Sequence, residues 1–393
     1  MPPDRRQSRC RCHRARHPRD CGAEPVNDES PPEADRADGA PHPRETLRLF
    51  GHKDAVADIL ASLANDRMHH AWLLTGPRGV GKATLAWATA RNLLARSGGE
   101  GGKMGSIPMN LDMSADHPVA RRVAALSDPG CLLIRRAWDP DRKRLKNWIT
   151  VDEIRRLNRF LGLTATDGGY RVVIVDAADD MNASASNALL KLLEEPPGST
   201  VLFLVSHQPA RLLPTIRSRC RILRLRELDE ADMDLALGEA GIAAESADRL
   251  HALAHGSVGE AVRLMNEGGL ELYGKVMDVI ATAPSMDRAR LLKLAEEVSA
   301  RGAERRFDLA VRLLGRALAR LAVTAAGSPP ESQVTPGEFQ TLERLGANAS
   351  RAHAWAELQQ ELSTRLTHGR EVNIDQASLL TDAFLRIEAT SAH

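Results

Sequence analysis

The stretch from Leu73 to Ala90, LLTGPRGVGKATLAWATA, sets Gly76, Gly79, Gly81 and Lys82 at the spacing G-x-x-x-x-G-K. Glycines so placed let the backbone curl until successive N–H groups point inward. The amino end of the following helix adds its positive pole, and lysine adds a full charge. The chemistry predicted is a grip on phosphate. The next position should carry a hydroxyl for Mg²⁺, and it holds Ala83. Thr84 stands one step further along the helix and is expected to face another direction. Phosphate binding can survive this change while metal-dependent chemistry suffers. A second motif, RVVIVDAADD, ends four apolar residues in Asp176. A carboxylate there can order Mg²⁺ or its water, or simply cap the turn after a buried strand. Asp179 and Asp180 read as a solvated turn. A third stretch, RLLPTIRSRCRIL, crowds Arg217, Arg219, Arg221 and Arg224 together. A guanidinium stays charged and can take phosphate in two parallel hydrogen bonds. One of the four can thus reach a phosphate on a neighbouring molecule, and the plain alternative is a solvated basic face.

Elements of the right period surround these residues. The runs 71–75, 131–134, 171–176, 201–206 and 221–226 are nearly continuous in apolar residues, as strands of a parallel sheet covered on both faces should be. Between them Ala86, Ala90, Leu93 and Leu94 form one helical stripe. Ile154, Leu157 and Leu161 form a second, behind a capping box of Thr150 and Glu153. Ala185, Ala188, Leu189 and Leu192 form a third, in a helix that Pro196 and Pro197 stop. Alternation of strand and helix predicts an α/β domain over 45–226. Strand signals then vanish. Short helices separated by glycines predict a small helical lid over 227–284. Longer amphipathic helices predict a bundle over 285–393, suited to assembly and removable without loss of the α/β part.

Composition narrows the class. The 393 residues allow two or three domains, and the net charge of +1 gives no whole-chain sign of a nucleic-acid or membrane-surface protein. Aromatics are only 3 % of residues, so Leu, Ala, Val and Ile must build the core. No apolar run reaches membrane-spanning length and no apolar segment follows the basic start, so a cytoplasmic protein is expected. Residues 1–44 read as a disordered extension, rich in Arg, Pro, Asp and Glu. Within it Cys10, Cys12, His13, His17 and Cys21 are metal-capable residue types with nothing nearby to pack around a metal. Translation from Val26 is the alternative account of this segment.

HHAWLLTGPRGVGKATLA, NALLKLLEEPP, LPTIRSRC and GSVGEAVRL together resemble bacterial clamp-loader subunits, the AAA+ proteins of the DNA polymerase III holoenzyme. The likeness is close over about residues 45–265 and extends to the helical end in layout only. It implies an AAA+ P-loop domain, a lid and a C-terminal collar. It also implies that Arg219, within the triplet Ser218–Arg219–Cys220, is the finger entering an adjacent subunit's ATP site. Motor subunits of the family carry a hydroxyl after the loop lysine, a glutamate after the strand-end aspartate, and an arginine in the second sensor motif. Here those places hold Ala83, Ala177 and Gly259. Some members carry a four-cysteine zinc module, but between Ala90 and Pro140 this chain has only Cys131, so zinc is not supported. The resemblance therefore implies the non-hydrolysing, finger-bearing member of a five-subunit ring with gamma/tau and delta subunits, acting on the sliding clamp and primed DNA. It would keep Gly76, Gly79, Gly81, Lys82 and Asp176 as a degenerate nucleotide site with weak or vestigial ATP binding and no required cofactor. The alternative is an active gamma/tau-like ATPase using Thr84 and Asp176.

Overall fold

In the computed structural model, which describes residues 32–37, 39–65, 67–97, 110–162, 169–242 and 247–392, helix α1 (Lys53–Ala64) leads into strand β1 (Ala71–Thr75). Helices α2 (Lys82–Ser97) and α3 (Pro118–Ala124) and strand β2 (Cys131–Ile134) follow. A two-stranded antiparallel hairpin, β3 (Trp138–Asp139) and β4 (Arg144–Leu145), was not predicted because its strands are only two residues long. Then come α4 (Val151–Gly162), β5 (Arg171–Asp176), α5 (Ala183–Glu194), β6 (Thr200–Ser206), α6 (Pro214–Arg217) and β7 (Arg221–Arg224).

The five main strands form one parallel sheet in the order β2-β5-β6-β1-β7. Side chains alternate between its faces. Trp72, Leu74, Ile174 and Phe203 pack with α1, α2 and α3, while Leu73, Val173, Val175 and Leu204 pack with α4, α5 and α6. The three central strands β1, β5 and β6 are buried along their whole length, which explains their nearly unbroken apolar sequence. The predicted stripes on α2 and α4 are buried. The capping pair is also formed, with Thr150 N–H and Oγ1 donating to Glu153 Oε2 at 2.8 and 2.6 Å. On α5 the stripe is rotated slightly: Leu193 is buried and Leu192 only partly, because Ala185, Leu189 and Leu193 follow the 4-residue ridge.

The expectation of disorder to residue 44 is corrected for the described part of that segment. His42 is fully buried, its Nε2 3.1 Å from Asp35 Oδ2 and its ring edge-on to Trp87. Buried Arg91 donates to the carbonyls of Arg44 and Thr46, and Arg135 binds Asp35 and Glu33. Charged composition misled here because the charges are used in pairs rather than left to water. Residues 1–31, with the cysteine–histidine stretch and Val26, lie outside the described residues.

After β7 the chain is helical: α7 (Glu230–Glu239), α8 (Ala247–Ala254), α9 (Val258–Asn266), α10 (Gly269–Ile280), α11 (Arg288–Val298), α12 (Glu304–Ala325), α13 (Glu338–Leu345), α14 (Ser350–Glu371) and α15 (Gln376–Ala392). No helix among the described residues is long and apolar enough to cross a membrane. One apolar cluster runs through this half, from Leu228 and Met233 through Tyr273 and Met277 to Phe307, Trp355 and Phe384. The break expected near 284 is therefore no break in the core, and a cut there would bare the faces of α10 that carry Tyr273, Val276 and Ile280. Inside the cluster Glu338, 1 % exposed, accepts from Arg320 Nε at 2.8 Å, from Tyr273 Oη at 2.6 Å and from the Val334 N–H at 2.5 Å. Arg320 also donates to the carbonyls of Ser332 and Ala252. Breaking a buried pair from one side strands the other charge, so Glu338→Ala should cost about 3–5 kcal/mol in urea unfolding. Glu271→Ala, which breaks the exposed pair with Lys275, should leave the midpoint unchanged.

Candidate functional site

The glycine loop joins β1 to α2, where a parallel sheet opens its carboxyl edge to ligands. Gly76, Gly79 and Gly81 all have positive φ, at 143°, 79° and 101°. A Cβ on Gly76 would lie 2.2 Å from the carbonyl oxygen of Leu225, so no other residue fits there. Lys82 is 3 % exposed, and its ammonium donates to the carbonyls of Gly76, at 2.8 Å, and Pro77. Burial lowers its pKa to about 8, against the pull of Asp176 and Asp179. The loop thus folds around its own lysine.

Asp176 is buried at the end of β5. Burial first, and then the negative charge of Asp35, push its pKa up to about 8, although Lys82 and Arg78 oppose the shift. The neighbouring acids are not a solvated turn. Asp179 is 8 % exposed and its Oδ1 accepts the His207 N–H at 3.0 Å, while Asp180 pairs with Arg136 at 3.0 Å. Asp179 thus satisfies a backbone N–H just beyond the end of β6, outside the strand ladder.

Gly79, Gly81, Lys82, Asp176 and Asp180 line a cleft of 370 Å³ together with Ala83 and Thr84, whereas Gly76 and Asp179 support it from behind its lining. Thr84 was expected to face elsewhere and lines it too. Two contributors escaped sequence reading. His207 follows β6 directly; burial and the charges of Lys82 and Arg78 lower its pKa to about 3, so it is neutral. Its signal was a polar residue at the carboxyl end of a central strand. The second contributor is the chain at 34–37 and 40–50, which forms a wall of the cleft. Burial works against the Asp35 charge, but His42 and Arg135 hold its pKa below the usual range.

The lid closes the remaining side. Ser257 Oγ donates to the Arg78 carbonyl at 2.9 Å, and the Gly259 N–H donates to the Gly79 carbonyl at 3.0 Å. A Cβ on Gly259 would lie 2.9 Å from the Gly79 Cα. The Gly259 position therefore has no room for a side chain. Among the described residues, no group of three or more His, Cys, Asp or Glu is placed to hold a metal ion.

The arginine cluster resolves into separate parts. Arg221 lies over the Trp72 ring at 4.8 Å and pairs with Asp58 at 3.3 Å, tying β7 to α1. It is therefore a tethered side chain, although still exposed to water. Arg224 is exposed and Arg217 partly buried. Arg219, about a third exposed, pairs through Nη2 with Glu194 Oε1 at 2.7 Å and donates from Nη1 to the Thr215 carbonyl at 3.0 Å. It is not among the residues that line the cleft.

A glycine phosphate loop after β1, an interior strand of this parallel sheet, closed by an all-helical lid seated on the loop, defines an AAA+ P-loop module. Residues 51–229 match the family described as DNA polymerase III, delta subunit. It is 38 % identical over 212 residues to the DNA polymerase III subunit delta′ of Pseudomonas aeruginosa, covering 53 % of this chain and 60 % of that one. It is 32 % identical over 217 residues to the delta′ subunit of Bacillus subtilis, covering 55 % and 60 %. The chain thus spans about three fifths of the length of these relatives. A gamma/tau subunit of Mycobacterium tuberculosis is 29 % identical over 177 residues, 45 % of this chain and 28 % of that one.

Two expectations follow. Gly259→Arg should not restore a sensor; it should pry the lid from the loop and destabilise the protein by roughly 1–3 kcal/mol, an overpacking cost readable in thermal melts. The second concerns pH. Folded Asp176 keeps its proton up to about pH 8, whereas the unfolded group loses it near 3.8. Between those values the native state binds the extra proton, so this group's contribution to stability falls as pH rises. Asp176→Asn removes that slope, and its urea midpoint should gain on the wild type steadily from about pH 4 to about pH 8.

Proposed function

We propose that this chain is a delta-prime-type clamp-loader subunit that hydrolyses no ATP and completes the ATP site of a neighbour. In this reading it sits in a five-membered ring with gamma/tau and delta subunits and helps load the sliding clamp onto primed DNA. The observation that carries the reading is the placement of Arg219, which is partly exposed, held by Glu194 and does not line the chain's own cleft. A partner phosphate brought to that edge would meet a fixed guanidinium, and charge developing in hydrolysis would be stabilised there. The state of the chain's own site supports the same reading. Lys82 is engaged by its own loop, Ala83 and Ala177 offer no metal or water chemistry, and Gly259 is sealed against Gly79. Any ATP binding there is weak, and the reading requires no cofactor and no zinc.

The test is Arg219→Ala within the assembled complex. In GTPases a finger supplied in trans contributes roughly 10³–10⁵ in rate, and a smaller loss is expected here because other subunits bring fingers to other sites. The variant should fold and assemble while DNA-stimulated ATP turnover and clamp loading fall. Arg219→Lys should rescue in part, since an ammonium cannot make the two-pronged contact. Wild-type loading by Arg219→Ala ends the finger reading. Arg224→Ala is the proper control; Arg221→Ala is not, because that side chain anchors α1.

One observation favours a second reading, a gamma/tau-like ATPase: Thr84 lines the cleft beside Lys82. Turnover by the isolated chain, abolished in Lys82→Ala, would establish it. The expected result is no steady turnover, far below the roughly 1–10³ per second of ordinary enzymes.

A further inference from the structure

We infer that Glu194, the last residue of α5, is a positioning residue for the Arg219 finger. The inference rests on the trans-finger reading above and adds to it the device that aims the side chain. Helix α5 ends at Glu194, and Pro196 and Pro197 prevent its continuation. Helix α6 opens on Pro214, whose fixed φ suits a first helical turn. The ends of these two packed helices therefore stand in a fixed relation, and Arg219 spans them. Its Nη2 meets Glu194 Oε1 at 2.7 Å and its Nη1 meets the Thr215 carbonyl at 3.0 Å.

Two anchors on two elements, one for each terminal nitrogen, fix the plane of the guanidinium as well as its location. A guanidinium has five N–H donors, so donors remain for an oxyanion after both anchors are satisfied. The other arginines of the stretch are treated differently. Arg221 is spent on Trp72 and Asp58, and Arg217 and Arg224 form no ion pair among the described residues. Glu195, the next residue, is exposed and takes no part.

Stability does not account for the pair. Glu194 is 51 % exposed and its partner 35 %, and exposed pairs contribute little to folding. What the pair does is remove rotamer freedom from a long side chain that would otherwise lose it on meeting a phosphate. Because the pair is wetted, the carboxylate can share the guanidinium with an incoming phosphate without stranding a buried charge.

The experiment is a double-mutant cycle in the assembled complex, with ATP turnover measured against ATP concentration in the presence of primed DNA. Assembly is confirmed by co-elution for every variant. Glu194→Ala should lower kcat roughly two- to fivefold, the scale of an exposed ion pair, with KM for ATP little changed. Glu194→Gln, which keeps an acceptor oxygen, should fall between. In the Arg219→Ala background, Glu194→Ala should have no further effect, because a positioning residue has nothing left to position. Glu195→Ala should match the wild type. If Arg219→Ala lowers turnover while Glu194→Ala does not, the positioning role fails and the finger survives. Additive losses in the double variant would mean that Glu194 acts on the fold or the assembly, and that too overturns the inference. A rise in kcat on Glu194→Ala would make the carboxylate a competitor of the phosphate rather than an aid. If Arg219→Ala is itself silent, both readings fall together.

Discussion

The seat of the lid on the glycine loop governs the rest of the structure. The Gly259 N–H meets the Gly79 carbonyl and Ser257 Oγ meets that of Arg78. Both acceptors belong to a loop whose ordinary task is to present donors to an anion. The lid can reach them only because Gly79 and Gly259 both lack side chains. Beside this contact, the two preceding carbonyls of the loop, those of Gly76 and Pro77, take the Lys82 ammonium. The same buried surroundings raise the pKa of Asp176 and lower that of His207.

Much of the α/β half was legible in the sequence, for a physical reason. Strands buried on both faces have no polar alternation to hide them, and β1, β5 and β6 are apolar for that reason. The glycine loop was legible because positive φ values restrict the residue choice at Gly76, Gly79 and Gly81. What could not be read was anything depending on long-range pairing. Arg91, a charge within α2, is buried and holds the carbonyls of Arg44 and Thr46. Asp179 looked like a turn residue in water, yet it holds the backbone of His207 from 28 positions away. The lid motif showed Gly259 as a missing arginine, whereas its real constraint is the backbone it faces.

The described residues between 33 and 44 show how charge-rich sequence can be ordered. Glu33 and Asp35 meet Arg44, His42 and Arg135, so opposite charges are drawn from both sides of the cleft wall. A composition count records only that Arg, Asp and Glu are plentiful and large apolar residues are few, which is equally the signature of a solvated tail. Partner geometry separates the two cases, and much of it is supplied by Arg135, about a hundred residues downstream. In the same way, the four arginines between 217 and 224 look alike as letters. The fold gives one a ring to lie on, another a carboxylate to aim it, and the remaining two neither.

The single apolar cluster running from Leu228 to Ile387 has a mechanical consequence. Two bodies joined by a flexible hinge would let one end turn while the other stayed still. Here α10 packs on α12 and both belong to one close-packed interior, in which Tyr273, Arg320 and Glu338 are mutually bonded. Interiors of this density deform little under load. A displacement at α15 would therefore be passed through packed side chains to α9, whose first turn sits on the glycine loop.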